Sequence, residues 1–410
     1  MSMYCGIDWA EGHHDIAVLD DQGSLLAKRR ITDSVTGFGE LTELLASAGD
    51  TDKDLIPVAI ETPRGLLVAA LRSTGRPVYA INPISVARYR ERHSTSRSKS
   101  DHADAILLAN ILRTDAHVHR RLSHDSDLAQ AITVLARAHQ DATWRRIKAQ
   151  QELRAVLREF YPGFLAAFSA GNTNLASSDA RAVLAIAPTP AAAAALTRSR
   201  ITTALKRGGR RRRLADTATR IQQALRRPQL RQPPLVEDAM GHHVLALLAI
   251  LDAACCNLER LGKATAEAFH AHPDHHIISS FPGIGDTIGA RLLGEIGDDR
   301  NRFRDARALK AYAGSAPITR ASGRSLSITR RRIKNNRLAA AGFVWAFMAI
   351  TNSPTARAHY DHRKQLGDGH AAALRHLFNR YLGQLHHCLT TNQPYDEHKA
   401  HPQPVTATAA

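Results

Sequence analysis

The chain has 410 residues, with 55 Lys and Arg against 38 Asp and Glu, and a formal net charge of +17. Hydrophobic and charged shares of 44% and 23% exclude a disordered or fibrous chain and leave room for two or three domains. So basic a balance, carried more by Arg than Lys, favours a nucleic-acid partner.

Residues 3–10, MYCGIDWA, are a short apolar run ending in an acid and read as a strand. Residues 14–19 read as a second strand, Asp20-Asp21-Gln22-Gly23 as a hairpin turn, and 24–31 as a third strand. Phe38, Leu41, Leu44 and Leu45 recur at helical spacing within 37–48. Residues 56–61, IPVAIE, read as a buried strand that again ends in an acid. Pro63 suits the first turn of a helix running to 73. Gly75 ends it, and 77–81 make a fifth strand. Residues 83–92 read as a short basic helix, and the polar loop 93–100 leads into a helix over 101–114. The order β-β-β-α-β-α-β-α-α predicts a mixed α/β sheet flanked by helices, the order of a ribonuclease-H-like fold.

Residues 125–160 read as one long helix, with Leu128, Ile132, Leu135, Leu153 and Leu157 along one side. Its alanine-rich face suggests a helix hairpin or coiled-coil arm. Pro162-Gly163 breaks it. Residues 164–234 give no clear pattern beyond an alanine-rich stretch, 191–196, and a basic block, 206–213, suited to backbone phosphate. Pro233-Pro234 opens a second long helix, 236–270, which can pair with the first as an antiparallel arm. Residues 273–390 read as a further, mainly helical unit. The segment after 392 is rich in Pro, His and Thr and is expected to be disordered. The expected domains are therefore 1–122, 123–272 and 273–391, with a tail over 392–410.

Asp101 and Asp104, three residues apart, share a helix face with Leu108 and then Ile111 or Leu112. They point where core-facing residues point, although Ser98 or Ser100 with acids in the first turn also reads as an ordinary cap. Asp8 ends the first strand and Glu61 the fourth. In a ribonuclease-H-like sheet those strands are neighbours, and the later helix brings Asp101 and Asp104 to the same end. Four converging carboxylates repel. A hard cation, Mg²⁺ or Mn²⁺, resolves the conflict, and two such ions align a phosphodiester for cleavage or transfer. His102 lies off the acids' face and reads as a neighbour, not a ligand.

Gly283-Ile284-Gly285, preceded by Pro282 and followed by Ala290, Leu292 and Leu293, resembles a helix-hairpin-helix. Its glycines would let backbone amides approach phosphate; an ordinary tight turn fits the same spacing. Further on, Ser322 precedes Gly323 among Arg320, Arg324, Arg330, Arg331 and Arg332, with Lys334 following. A serine hydroxyl needs activation to attack, so from the residues alone Ser322 reads as a phosphate-contacting loop residue. Arg64 beside Glu61 and Lys99 beside Asp101 join the candidate nucleic-acid contacts.

GIDWA, IETPRG and SKSDHADA, in this order and spacing, resemble the N-terminal catalytic domain of the IS110/IS1111 family of transposases. FPGIGDTIGARLLGEIGD and YAGSAPITRASGRS resemble that family's C-terminal transposase domain. The resemblance implies a RuvC-like domain whose DEDD tetrad, here Asp8, Glu61, Asp101 and Asp104, binds Mg²⁺. It implies a serine that attacks DNA phosphate and forms a phosphoserine link. The matching position is Ser322, with Ser315, Ser325 and Ser327 as competitors. It further implies a site-specific recombinase acting on double-stranded DNA as a homo-oligomer, dimer or tetramer, with domains of different protomers meeting at the active site. Some members use a guide RNA encoded by the element. The alanine- and arginine-rich residues 164–234 depart from the pattern.

Two other readings stay open: a Holliday-junction resolvase or nuclease using the same acids with water, and a non-catalytic DNA-architectural protein. A sugar-kinase or actin-like ATPase also opens with Gly-Ile-Asp, but no second glycine-rich phosphate loop is evident. The cysteines at 5, 255, 256 and 388 form no CxxC pair and give neither a zinc site nor a disulfide framework. With no signal-peptide layout and no apolar run near about 20 residues, the expectation is a cytoplasmic, nucleoid-associated bacterial protein without a membrane partner.

Overall fold

Alternation along the first strand, β1 (Tyr4–Trp9), sorts its side chains onto two faces that different helices cover. The computed structural model describes residues 2–93, 101–168 and 175–400, and the chain divides into units 1–124 and 125–410. In the first unit β1 is followed by β2 (His13–Leu19), β3 (Leu25–Thr32), α1 (Val35–Ser47) and β4 (Val58–Ile60). Then come α2 (Leu66–Ser73), β5 (Val78–Ala80), α3 (Pro83–His93) and α4 (Asp101–Asp115). The sheet order is β3-β2-β1-β4-β5. β1 pairs antiparallel with β2 and parallel with β4, the mixed arrangement expected of a ribonuclease-H-like domain.

Cys5 and Ile7 of β1, with Ile16, Val18, Val58 and Ile60, bury one sheet face against Leu41 and Leu45 of α1 and Leu67 and Leu71 of α2. The opposite face carries Gly6 and Ala59 and is covered by Leu108, Ile111 and Leu112 of α4. Gly6 is the condition for that cover. A Cβ there would overlap the Ala105 carbonyl oxygen and the Ala109 amide nitrogen, so only glycine lets the α4 backbone lie on the strand. At its far end, Arg113 Nη1 of α4 donates to the Asp21 carbonyl in the β2–β3 turn at 3.3 Å. The N-terminus of α4 therefore lies over the other end of the sheet, where Asp8 is.

Pro63 does not begin a helix. Thr62 Oγ1 accepts from Arg64 N at 3.3 Å, and Gly65 at φ 112° caps α2, which starts at Leu66. This local turn occupies the residues between Glu61 and the start of α2.

The second unit opens with α5 (Asp127–Phe160), whose N-cap Ser126 accepts from Ala129 N. Five short helices follow: α6 (Pro162–Ala167), α7 (Ser178–Ile186), α8 (Pro190–Ala194), α9 (Arg198–Arg207) and α10 (Leu214–Leu225). α11 (Pro234–His270) then returns along α5. Gln232 Nε2 donates to the Glu159 carbonyl at one end, and Gly262 lies against the His139 ring further along, so the two run antiparallel. The short helices bury Phe164, Val183, Leu184, Ile201 and Ile221 on Leu153 and Leu157 of α5 and Val244 and Leu248 of α11. The described residues of 164–234 are thus a small helical cluster on the end of the arm. Part of its basic block is used internally, because Arg210 pairs with Asp179 at 2.6 Å, whereas Arg211, Arg212 and Arg213 are exposed.

α11 is long and apolar enough, by length and composition, to cross a membrane, contrary to the expectation that no apolar run approaches that length. Its Val244, Leu248, Leu251 and Cys255 lie in the helical core.

The rest comprises α12 (His275–Ser279), α13 (Asp286–Ile296), α14 (Ala306–Ala313), β6 (Ile318–Ser322) and β7 (Ser325–Thr329). It ends with α15 (Asn336–Asn352), α16 (Pro354–Gln365), α17 (His370–Thr391) and α18 (Glu397–Ala400). Trp345 stacks on Tyr381 at 5.0 Å, and Phe281 meets Trp345 edge-on at 5.4 Å. Ile132 of α5 and Phe269 of α11 belong to this same core. Nor is the stretch just after 392 a free tail. Tyr395 stacks on Phe281 at 4.3 Å, its amide donates to Ser280 Oγ at 2.7 Å, and Ser353 Oγ donates to Glu397 Oε1 at 2.6 Å. Residues 401–410 lie outside those described.

Candidate active site

Two of the acids follow paired strand residues. Ile7 is level with Ile60, the last pair of the parallel β1–β4 ladder, and Asp8 and Glu61 are the residues that come next. Both continue the Gly6 and Ala59 face, the one α4 covers, and both are half-buried. Across the antiparallel pair Asp8 faces Asp15, and Asp15 faces Arg30 of β3. Arg30, Asp15 and Asp8 therefore form one row across β3, β2 and β1, and Glu61 follows the end of β4.

Asp15 is 1% exposed. Arg30 grips it with Nε to Oδ1 at 3.0 Å and Nη2 to Oδ2 at 2.7 Å, a bidentate geometry that favours the ionised acid. Nothing in the sequence reading singled out Asp15 or Arg30. The available signal was an acid inside the otherwise apolar run of β2, but its meaning depends on the register.

Asp104 comes from the first turn of α4 and is 4% exposed. Its Oδ1 accepts from Arg90 Nη2 of α3 at 2.5 Å. The basic helix over 83–93 thus supplies a cation to an acid that would otherwise be costly to bury. Asp101 opens α4 one turn earlier; its side chain lies outside what is described, as do Lys99 and Ser100. Arg64 is exposed on the loop after Glu61.

In the second unit, Ser322 is exposed at the end of β6, beside a two-residue turn, Gly323-Arg324. Gly323 at φ 55° supplies the positive dihedral such a hairpin needs at its first central position. Ser322 pairs with Ser325, Arg320 with Ser327 and Ile318 with Thr329. Directly paired residues point to the same side, so Arg320, Ser322, Ser325 and Ser327 share one hairpin face. The other face carries Leu326 and Ile328, 68% and 67% exposed. Arg330, Arg331 and Arg332 follow and line a concave surface with Ile318, Arg320 and Thr329. A strand hairpin stands here in place of the expected loop, and the β-branched pairs Ile318-Thr319 and Ile328-Thr329 around Ser-Gly-Arg-Ser are its signal in the sequence.

Ser315 is a different case. It is 4% exposed, donates from Oγ to Asn379 Oδ1 at 2.9 Å and packs between α14 and α17. The stem of Lys334 fills the space a Cβ on Gly314 would need.

The two glycines between α12 and α13 differ. Gly283, at φ 77°, would place a Cβ 2.6 Å from Ala349 N, so its glycine is explained by packing on α15. Trp345 Nε1 donates to the Pro282 carbonyl at 3.1 Å and fixes the same turn. Gly285 caps α13 in an extended conformation with open space over it.

A family model for IS110 DEDD transposases, described as "Transposase", matches residues 5–162. A second, described as "Transposase IS116/IS110/IS902 family", matches residues 275–361. The chain is similar to the "Mini-circle putative transposase for IS117" of Streptomyces coelicolor, at 58% identity over 400 residues, covering 98% of this chain and 97% of the relative. It is also similar to the insertion element IS900 uncharacterized 42 kDa protein of Mycobacterium paratuberculosis, at 27% identity with 99% of each chain covered. The insertion element IS110 uncharacterized 43.6 kDa protein of Streptomyces coelicolor matches at 25% identity, covering 94% of this chain and 93% of the relative. With family matches at both ends and a relative alike over nearly its whole length, the chain belongs to the IS110 family of insertion-sequence transposases, enzymes whose substrate is DNA.

Proposed function

We propose that this transposase cuts and rejoins DNA through a covalent link to Ser322, with Asp8, Glu61, Asp101 and Asp104 holding a divalent metal. The position of Asp8 and Glu61 directly after the level pair Ile7 and Ile60 supports the metal half of this reading. Asp104, buried at the N-terminal end of α4, supports it. A donor set made only of carboxylate oxygens fits Mg²⁺ or Mn²⁺. When bound, the metal supplies charge neutralisation and Lewis-acid polarisation at the phosphodiester.

The protein's own groups do the rest. Ser322 Oγ attacks the phosphorus; the Oγ–P bond forms as the P–O3′ bond breaks, and the departing oxygen leaves as a 3′-hydroxyl. Attack by another strand's 3′-hydroxyl on the phosphoserine reverses the step and rejoins DNA. Arg320, on the same hairpin face, and Arg324 at the tip suit the charge on the phosphate. Arg330, Arg331, Arg332 and Lys334 track the backbone. Residues 275–296 work as a helix-hairpin-helix in which Gly285, open to solvent, makes the close phosphate approach, and Gly283 is structural. The paired α5 and α11 serve as a coiled-coil arm in a homo-oligomer, and exposed Arg211, Arg212 and Arg213 suit an element-encoded guide RNA.

The test is a denaturing gel of purified protein incubated with labelled element ends and Mg²⁺. Wild type gives a protein–DNA adduct, Ser322→Ala gives none, and Asp8→Ala abolishes excision. An adduct formed by Ser322→Ala removes the serine assignment. Cleavage without any adduct in wild type replaces it with a water-using nuclease.

A further inference from the structure

Away from the acids and the hairpin, three helix ends bring metal-ligating side chains together. His270 closes α11, His275 opens α12 and Asp286 opens α13. One ligand atom from each lies within 4.8 Å of the others. His270 Nε2 is 2.8 Å from Asp286 Oδ1, and the two imidazoles meet edge to face at 4.8 Å.

We propose that His270, His275 and Asp286 form a Zn²⁺ site that ties the end of the long arm to the hairpin between α12 and α13. Two imidazoles and one carboxylate are a borderline-soft donor set that suits Zn²⁺ and not Mg²⁺. Tetrahedral zinc with ligands at about 2.0–2.1 Å places their atoms roughly 3.3 Å apart. The His270–Asp286 pair has only to open by about half an ångström while His275 closes in. Half-exposed side chains at helix ends allow that: His270 is 53% exposed and Asp286 47%. The same exposure leaves the fourth position to water or to a phosphate oxygen.

The scaffold beneath is rigid. Phe269, adjacent to His270, is fully buried, and its ring fills the space where Gly289 of α13 has no side chain. His275 packs edge-on against that ring at 4.8 Å. These contacts set the distance between the ends of α11 and α13. Helix-dipole complementarity explains a histidine in the last turn of α11 and an aspartate in the first turn of α13. It does not explain His275, the third partner.

The test uses full-length protein stripped with a chelator and titrated with Co²⁺, then Zn²⁺. The expected result is one equivalent of Co²⁺ with the intense visible absorption of a tetrahedral ion, displaced by Zn²⁺. A carboxylate-only site gives the weak spectrum of an octahedral ion, so the tetrad does not mimic it. His270→Ala and Asp286→Ala, both at exposed positions, each weaken that binding at least tenfold. Cys256→Ser, exposed and distant in kind, leaves it unchanged. Absence of the tetrahedral spectrum in wild type overturns the site. So does unchanged affinity in both ligand variants.

Discussion

Replacing Gly6 by alanine adds one carbon and tests how the tetrad is assembled. That carbon would lie 2.5 Å from Ala109 N and closer still to the Ala105 carbonyl oxygen. Ordinary contact is about 3.5 Å, and both obstructing atoms are backbone, so no rotamer change relieves the overlap. α4 has to lift by about 1 Å. Overpacking of this kind costs about 1–3 kcal/mol, which lowers the melting temperature of a unit this size by roughly 3–10 °C. The helix carries Asp101 and Asp104, and a misplacement of about 1 Å costs on the order of 100-fold in rate. Gly12→Ala is the control, because a Cβ there meets nothing within 4 Å. The assay is excision of a donor element from a plasmid, with a melting curve on each variant. If Gly6→Ala melts and excises like Gly12→Ala, α4 does not lie on β1, and the proposed convergence of the four acids fails with it.

Arg30→Ala removes the bidentate partner of buried Asp15. The expected loss is about 1–2 kcal/mol, at the low end for a buried ion because Arg30 is 48% exposed and screened by solvent. Asp15→Asn in the same chain recovers part of it, whereas a wild-type melt for the single variant shows that the row across the sheet is not an energetic unit. Ser315→Ala costs about 1 kcal/mol through its lost hydrogen bond and still forms the DNA adduct; loss of the adduct there, with retention in Ser322→Ala, moves the nucleophile to Ser315. Burial pushes the Asp50 carboxyl up, but bonds from Arg76 and the Ile56 amide outweigh it and hold the pKa below its ordinary value. The stability it contributes is full above about pH 4 and is lost as pH falls through the folded-state value. Asp50→Asn therefore flattens the acid limb of the melting profile, and an unchanged acid limb refutes the assignment.

Where a buried pattern persists for several residues, the fold was legible. MYCGIDWA, IPVAIE and the Leu repeat over 37–48 lie on β1, β4 and α1, and the mixed sheet follows from their order. Residues 164–234 were opaque for a physical reason. Their helices are 5 to 12 residues long, and α8 presents only Pro190 and Ala193 to the core, too few turns for a 3.6-residue period to stand out. The end of the chain misled in the opposite sense. Pro, His and Thr after 392 suggest disorder, yet Tyr395 and Glu397 anchor the first residues of that stretch, and composition weighs two anchors no more than any other two residues. Pro63 misled because a side-chain turn at Thr62 competes with the helix, and propensity carries no information about that bond.

The site was legible to the extent that it follows from the ends of elements. Asp8 and Glu61 are expected together because each comes at the end of a strand, and the parallel pairing of Ile7 with Ile60 is the contact that expectation needs. Asp15 was missed because its neighbours are set by pairing across β2, which alternation within one strand does not encode. The same limit separates the serines. Along the sequence Ser315, Ser322, Ser325 and Ser327 are equivalent hydroxyls in a basic stretch. Folding removes Ser315 into a packed interior and sets the other three on one face with Arg320. An exposed two-stranded hairpin is marginal in water by itself, and this one exposes Leu326 and Ile328 on its other side. Its polar face suits a phosphate backbone and its apolar face does not. A hairpin so built is completed by two surfaces of different chemistry, and a sequence read one strand at a time has no means of showing either.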